Sequence, residues 1–129
     1  MGATYNLFTT DDDQTTLGAR HITAKTKAVS GTSTYYSSKM LHKDNQLGFS
    51  IQFVGTMVGT LTLWWSDLEL PDVADDDDWI QDASWSPTNP AGSDIKTKYG
   101  IGDLKGRWAR LKYVNASGSG TVAAQAVIP

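Results

Sequence analysis

Asp72, Asp75, Asp76, Asp77, Asp78 and Asp82 place six carboxylates within eleven residues, the densest chemical feature of the chain. Carboxylates this close repel one another, and a hard cation relieves that repulsion. Ca²⁺ takes roughly six to eight oxygen ligands and tolerates loop geometry, so calcium held by Asp75, Asp76, Asp77 and Asp78 is one expectation. The run lacks the Asp-x-Asp-x-Asp-Gly order of an EF-hand. The competing expectation is a solvated loop that keeps the surface hydrophilic. Asp11, Asp12 and Asp13 pose the same question in smaller form.

Other reactive chemistry is sparse. There is no cysteine, which removes disulfides and thiolate metal sites. His21 and His42 are the only histidines, and neither sits in a Ser/His/Asp, Cys/His or zinc-ligand spacing. Fourteen acidic residues always yield some pair of carboxylates, so a glycosidase-like pair has no particular support. With no recognisable nucleophile, base or phosphate loop, the expectation is a protein that is not an enzyme.

The five tryptophans are the second oddity. Adjacent Trp64 and Trp65 point to opposite faces of a strand, so one of them leaves the main core. An outward tryptophan would stack on a sugar ring, enter a pocket of a neighbouring protein, or be covered by the acidic excursion with Trp79 or Trp85. Trp64, Trp79 and Trp85 are therefore expected interface residues, together with Tyr5, Leu7 and Phe8 of the N-terminal segment.

The elements that position these residues read as strands. Leu47, Phe49, Ile51 and Phe53 alternate with Gly48, Ser50 and Gln52, the period of a half-buried strand. Gly55–Gly59 allows a turn, and Leu61, Leu63 and Trp65 repeat the alternation. Ala109, Leu111 and Tyr113 are expected to face inward while Arg110 and Lys112 face water. Val122, Ala124, Ala126 and Ile128 give a closing strand, joined to the one before it through Ser117-Gly-Ser-Gly120 as a hairpin. Residues 21–29 read as a weak or edge strand and residues 34–41 as another, with Tyr35 and Tyr36 on opposite faces. Asp75–Gln81 has room for one helical turn, and no segment has a capped helical stripe. Asn115-Ala-Ser117 is formally a glycosylation acceptor, but reads as a hairpin shoulder.

The fold expected is all-β: one antiparallel β-sandwich, jelly-roll-like, over residues 21–129, with residues 1–20 as a polar arm or edge segment. A chain of 129 residues suits one domain with its own core. The formal charge of −3 argues against nucleic acid as main partner. No apolar run approaches the roughly 20 residues that cross a bilayer. Met1-Gly-Ala-Thr-Tyr-Asn lacks a signal-peptide layout, and Asn6 stands where a myristoylation motif wants Ser or Thr. A soluble cytoplasmic product used without processing is the expectation.

Val58-Gly-Thr-Leu-Thr-Leu63, then Trp79, then Arg107-Trp-Ala-Arg-Leu-Lys-Tyr-Val114 and Ser117-Gly-Ser-Gly-Thr-Val122 resemble the strand and hairpin motifs of small β-sandwich virion proteins of tailed bacteriophages. The likeness covers roughly residues 47–128. It departs after Ser66-Asp67, where the acidic insertion through Asp78 delays the tryptophan. The resemblance implies a structural component of the particle. For a chain this short, that means a capsid decoration or cement protein on the outside of the head, made in the host cytoplasm. Its implied partners are the major capsid protein and neighbouring copies of itself, as trimer or dimer, with the N-terminal arm reaching across. The alternative is a tail, fibre or receptor-binding module that contacts host glycans through its tryptophans. A small hydrolase or lectin-like domain is the third class, and it would need a convergent polar pocket.

Overall fold

The alternation of apolar and polar residues becomes strands stacked around a shared interior. The computed structural model describes residues 3–6, 27–41, 47–85, 89–101 and 104–128. In chain order the strands are β1 (Ala3–Asn6), β2 (Lys27–Ser30), β3 (Ser33–Tyr36), β4 (Met40–Leu41), β5 (Leu47–Gly55), β6 (Val58–Ser66), β7 (Ile80–Gln81), β8 (Ile95–Ile101), β9 (Trp108–Ser117) and β10 (Ser119–Ile128). A single 3₁₀ turn, Asp76–Asp78, is the helical content among the described residues.

These strands form two antiparallel sheets among the described residues. In the first, β10 has β1 and β2 along one side and β5 on the other, with β8 beyond β5. In the second, β9 has β3 and β4 on one side and β6 on the other, with β7 beyond β6. Phe49, Ile51 and Phe53 of β5 and Val122 and Ala124 of β10 meet Leu61, Leu63 and Trp65 of β6 and Ala109, Leu111 and Tyr113 of β9 in one buried cluster. The rings of Phe53 and Tyr113, one from each sheet, lie 5.1 Å apart. Burying each such side chain contributes about 1.5–3 kcal/mol, which is what holds the two sheets face to face.

β9 and β10 are not a hairpin: they lie in different sheets, and the Ser117–Ser119 connection crosses from one to the other. Thr56-Met57 makes the same crossing between β5 and β6. The crossings are close-packed. Gly118 has φ +78°, and a Cβ there would run into the Thr56 carbonyl. Asn115 is fully buried beside it, donating from Nδ2 to the Gly31 carbonyl (2.7 Å) and the Gly118 carbonyl (3.1 Å) and accepting from the Tyr113 hydroxyl (2.8 Å). The formal glycosylation acceptor is thus a corner brace.

Residues 34–41 are not one strand either. Ser37 interrupts them: its N–H donates to the Leu111 carbonyl (2.9 Å) while its hydroxyl takes the Leu111 N–H (2.8 Å). Ala3–Asn6, expected within the N-terminal arm, pairs with Gln125–Ile128 as an edge strand. Leu7 and Phe8 lie outside the described residues. β8 was not expected, although Ile95, Thr97 and Tyr99 alternate with exposed Lys96 and Lys98.

Candidate interaction surface

Strand periodicity sends Thr62 and Trp64 of β6, Arg110 and Lys112 of β9 and Tyr36 of β3 to the outer face of the second sheet. Water reaches this face unevenly: Arg110 is buried, Tyr36, Thr62, Trp64 and Lys112 are half-buried, and Thr60 and Val114 are exposed. After Ser66 the chain leaves β6, passes through the acidic run, and returns as β7 beside β6. The excursion lies over Arg110, whose exposure is 0%. This corrects the expectation that Arg110 and Lys112 face water.

Three rings surround the guanidinium, with centroids 4.7 Å (Trp64), 5.0 Å (Tyr36) and 5.1 Å (Trp79) from its carbon. Its Nη1 donates to the Val73 carbonyl and its Nη2 to Asp76. The Lys112 ammonium donates to the other Asp76 oxygen. The Lys112 bond, opposed by partial burial and joined by Arg110, holds the Asp76 carboxyl below its ordinary range. Arginine suits this place because its guanidinium is weakly hydrated and stacks on aromatic faces.

The other acidic side chains shape the excursion itself. Asp75 caps the 3₁₀ turn by accepting from the Asp77 N–H (3.0 Å), and Asp78 accepts from the Asp72 N–H (2.9 Å). The Trp79 indole N–H donates to the Asp72 carbonyl (2.8 Å). Among the described residues no group of three or more acidic or histidine side chains converges as metal ligands.

The far end of the excursion is pinned at Asp82. Its N–H donates to the Leu63 carbonyl (2.8 Å), and its carboxylate accepts from Trp65 Nε1 (3.0 Å), the Ser84 hydroxyl (2.7 Å) and N–H (3.0 Å), and Lys105 Nζ (3.2 Å). Burial works against the charged form, yet these donors outweigh it and hold the Asp82 carboxyl far below its usual range. Lys105 also donates to Ser84 (2.8 Å). The trio has the residue types of an acyl-transfer group, but Asp82 so stabilised is a poor base and Lys105 serves as donor to both neighbours. Its chemistry here is that of a clamp between the excursion and the segment before β9.

Between Ser66–Leu68 and Asp77–Ala83 the excursion encloses a cleft of about 430 Å³. Leu68 (48% exposed) and Ile80 (78%) line it, and Leu70 (73%) stands next to Leu68 in the loop. The acidic residues at the cleft are Asp67, Asp77, Asp78 and the clamped Asp82, with Lys105 the basic side chain among its lining residues.

Of the aromatic residues singled out from sequence, Trp79 is buried and Trp64 half-buried on Arg110, so the excursion covers them. Trp85 is elsewhere, packed on Phe49 (5.8 Å) and Tyr99 (5.0 Å) at the margin of the core. Tyr5 belongs to β1. Sequence reasoning counts Asp82 only as one of the acidic run, sends Arg110 to water and passes over Lys105. The available signal was an arginine at the centre of an apolar strand, in a chain that also carries a tryptophan-bearing acidic loop.

Comparison with protein-family models finds no match, and comparison with curated proteins finds none either.

Proposed function

We propose that this protein is a virion structural component, a decoration or cement protein that binds the outside of a bacteriophage head and stabilises the shell, built as a jelly-roll-like sandwich. The reading rests first on the resemblance of the strand and loop motifs between Val58 and Val122. The observation that carries it further is the braced excursion. Leu68, Leu70 and Ile80 stand exposed on a loop fixed at Asp76 and at Asp82, so an apolar contact surface is held in place before any partner arrives. An adhesive protein needs such a surface. In the Asp82–Ser84–Lys105 group, in contrast, Asp82 accepts from both partners and Lys105 donates to both.

Function on this reading is mass action. A protein that binds assembled shell and not free subunits stabilises the shell by the difference, multiplied over many copies. Residues 1–20 serve as the reach to neighbouring subunits, with Ala3–Asn6 docked on β10 in the isolated chain. The glycan-binding reading would require Trp64, Trp79 or Trp85 to present a bare face, and the Trp64 and Trp79 rings are taken up by Arg110. The test is co-sedimentation of the purified chain with head particles lacking it and, separately, with unassembled shell subunits. Saturable binding to heads alone, weakened by deletion of residues 2–20, is the expected result. Absence of binding to heads overturns the proposal.

A further inference from the structure

The excursion and the opposite sheet differ in charge as well as in shape. From Asp67 to Asp82 the chain carries eight of its 14 acidic residues and no Lys or Arg. The remaining sequence therefore holds six acidic residues against 11 Lys and Arg, a formal balance of +5. Within the excursion Asp76 and Asp82 are neutralised by Arg110, Lys112 and Lys105, which leaves the exposed carboxylates around Leu68, Leu70 and Ile80 as a strongly acidic rim.

The outer face of the first sheet is the counterpart. Gln52 pairs with Lys96 and Ser50 with Lys98, so both lysines stand on one face with Gln52 and Val54. Gln52, Val54, Lys96 and Lys98 are all exposed, whereas on the outer face of the second sheet the excursion buries Arg110. Asp94, the acidic residue next to this face, accepts the Gly55 N–H (2.9 Å). One surface of the chain is thus acidic with exposed apolar side chains, and another carries two exposed lysines beside Gln52 and Val54, with a hollow of about 250 Å³ between Gln52–Val54 and Asp94–Lys96.

We infer that a second copy of this chain covers the excursion, with the Leu68–Ile80 surface of one copy seated on the Gln52–Val54–Lys96–Lys98 face of the next. Glu69 and Asp77 meet the two lysines, and Leu70 and Ile80 lose water against Val54. Charge complementarity sets register and speeds encounter, while the apolar side chains supply the adhesion. The contact is heterologous, one patch on a different patch, which closes into a ring when the rotation allows. This deepens the reading above by naming how neighbouring copies meet, and it rests on that reading for its role on a particle. Exposed lysines on an edge strand also discourage indiscriminate pairing, so β8 accepts an acidic neighbour and rejects another β8.

The test is sedimentation of the full chain over a range of concentrations, with two charge-swapped variants. Glu69→Lys/Asp77→Lys alters the excursion at carboxylates outside the clamp and the Arg110 site, and Lys96→Glu/Lys98→Glu alters the sheet face. The wild type is expected to associate, less so as salt rises. Each variant alone is expected to bind itself roughly tenfold or more weakly. An equimolar mixture of the two is expected to regain association, which also shows that both are folded. A wild type that remains a single chain at every concentration overturns the inference. So do variants that associate as the wild type does, or a mixture that stays apart. Co-sedimentation with head particles is measured independently, so loss of self-association with retained head binding sinks this contact and leaves the cement reading standing.

Discussion

The guanidinium of Arg110 lies 4.7 Å from the centre of the Trp64 ring, on the outward side of a sheet whose other face is the core. A charge is buried there because aromatic faces, the Val73 carbonyl and Asp76 together replace water. The site therefore fastens the acidic excursion to the body.

Loss of Asp76 tests that fastening. Asp76→Asn leaves Arg110 buried with one fewer anion, and the side chain removed is itself 41% exposed. The expected cost is about 1–2 kcal/mol, below the several kcal/mol of a fully buried pair because solvent already screens Asp76. Arg110→Ala removes the packed stem as well and is expected to cost about 3 kcal/mol or more. Arg110→Met, which refills the space, is expected to cost less than the alanine. Urea denaturation of the three variants orders them.

Acid weakens the clamp at the other end. Burial opposes the charged form of Asp82, but bonds from Trp65, Ser84 and Lys105 more than offset it, so the native carboxyl titrates below its ordinary value of 3.8. A depressed native value means that the unfolded chain binds the proton first. The contribution of Asp82 is whole above 3.8 and is lost as pH falls below it. Asp76 acts in the same direction. Unfolding free energy measured across the acid range is expected to fall more steeply for the wild type than for Asp82→Asn.

Alkali acts through the core. Burial, with Tyr35 nearby, pushes Tyr113 from 10.0 up to about 12. Here folding favours the neutral phenol, so stability is intact below 10.0 and drains between 10.0 and about 12. Tyr113→Phe is expected to flatten that decline, at the cost of the hydrogen bond to Asn115. Spectroscopic titration of phenolate absorbance beside the denaturation curves checks both.

Two glycines separate strain from collision. Gly92 and Gly118 both have positive φ (90° and 78°), but a Cβ at Gly92 meets open space while one at Gly118 meets the Thr56 backbone. The conformational penalty alone is about 1–2 kcal/mol for either alanine. Gly118→Ala is expected to cost clearly more than Gly92→Ala in thermal or urea unfolding.

What the sequence conveyed, and what it did not, follows from the range of each interaction. Phe49–Ile51–Phe53 and Leu61–Leu63–Trp65 announce their strands because burial on one face is written locally, every second residue. The single helical turn near Asp76 buries no residue and is held by a different local feature, the Asp75 cap. Ser117-Gly-Ser-Gly120 has the chemistry of a tight connection, but local flexibility cannot say whether the next strand pairs with the last or crosses to the other sheet. Alternation sends Arg110 to solvent because it marks a face and does not record what later folds over it. Its cover comes from Val73, Asp76 and Trp79, more than 30 residues earlier. Trp64 and Trp79 carried the right signal of an aromatic cluster outside the core, and their partner proved to be this chain's own arginine.

The central claim is adhesion to the outside of a phage head, and cryo-electron microscopy of heads assembled with and without this chain tests it most directly. The account predicts added density of this two-sheet body on the outer surface of the shell, bridging neighbouring capsomers. Heads identical in both preparations, or density confined to the tail, would contradict it.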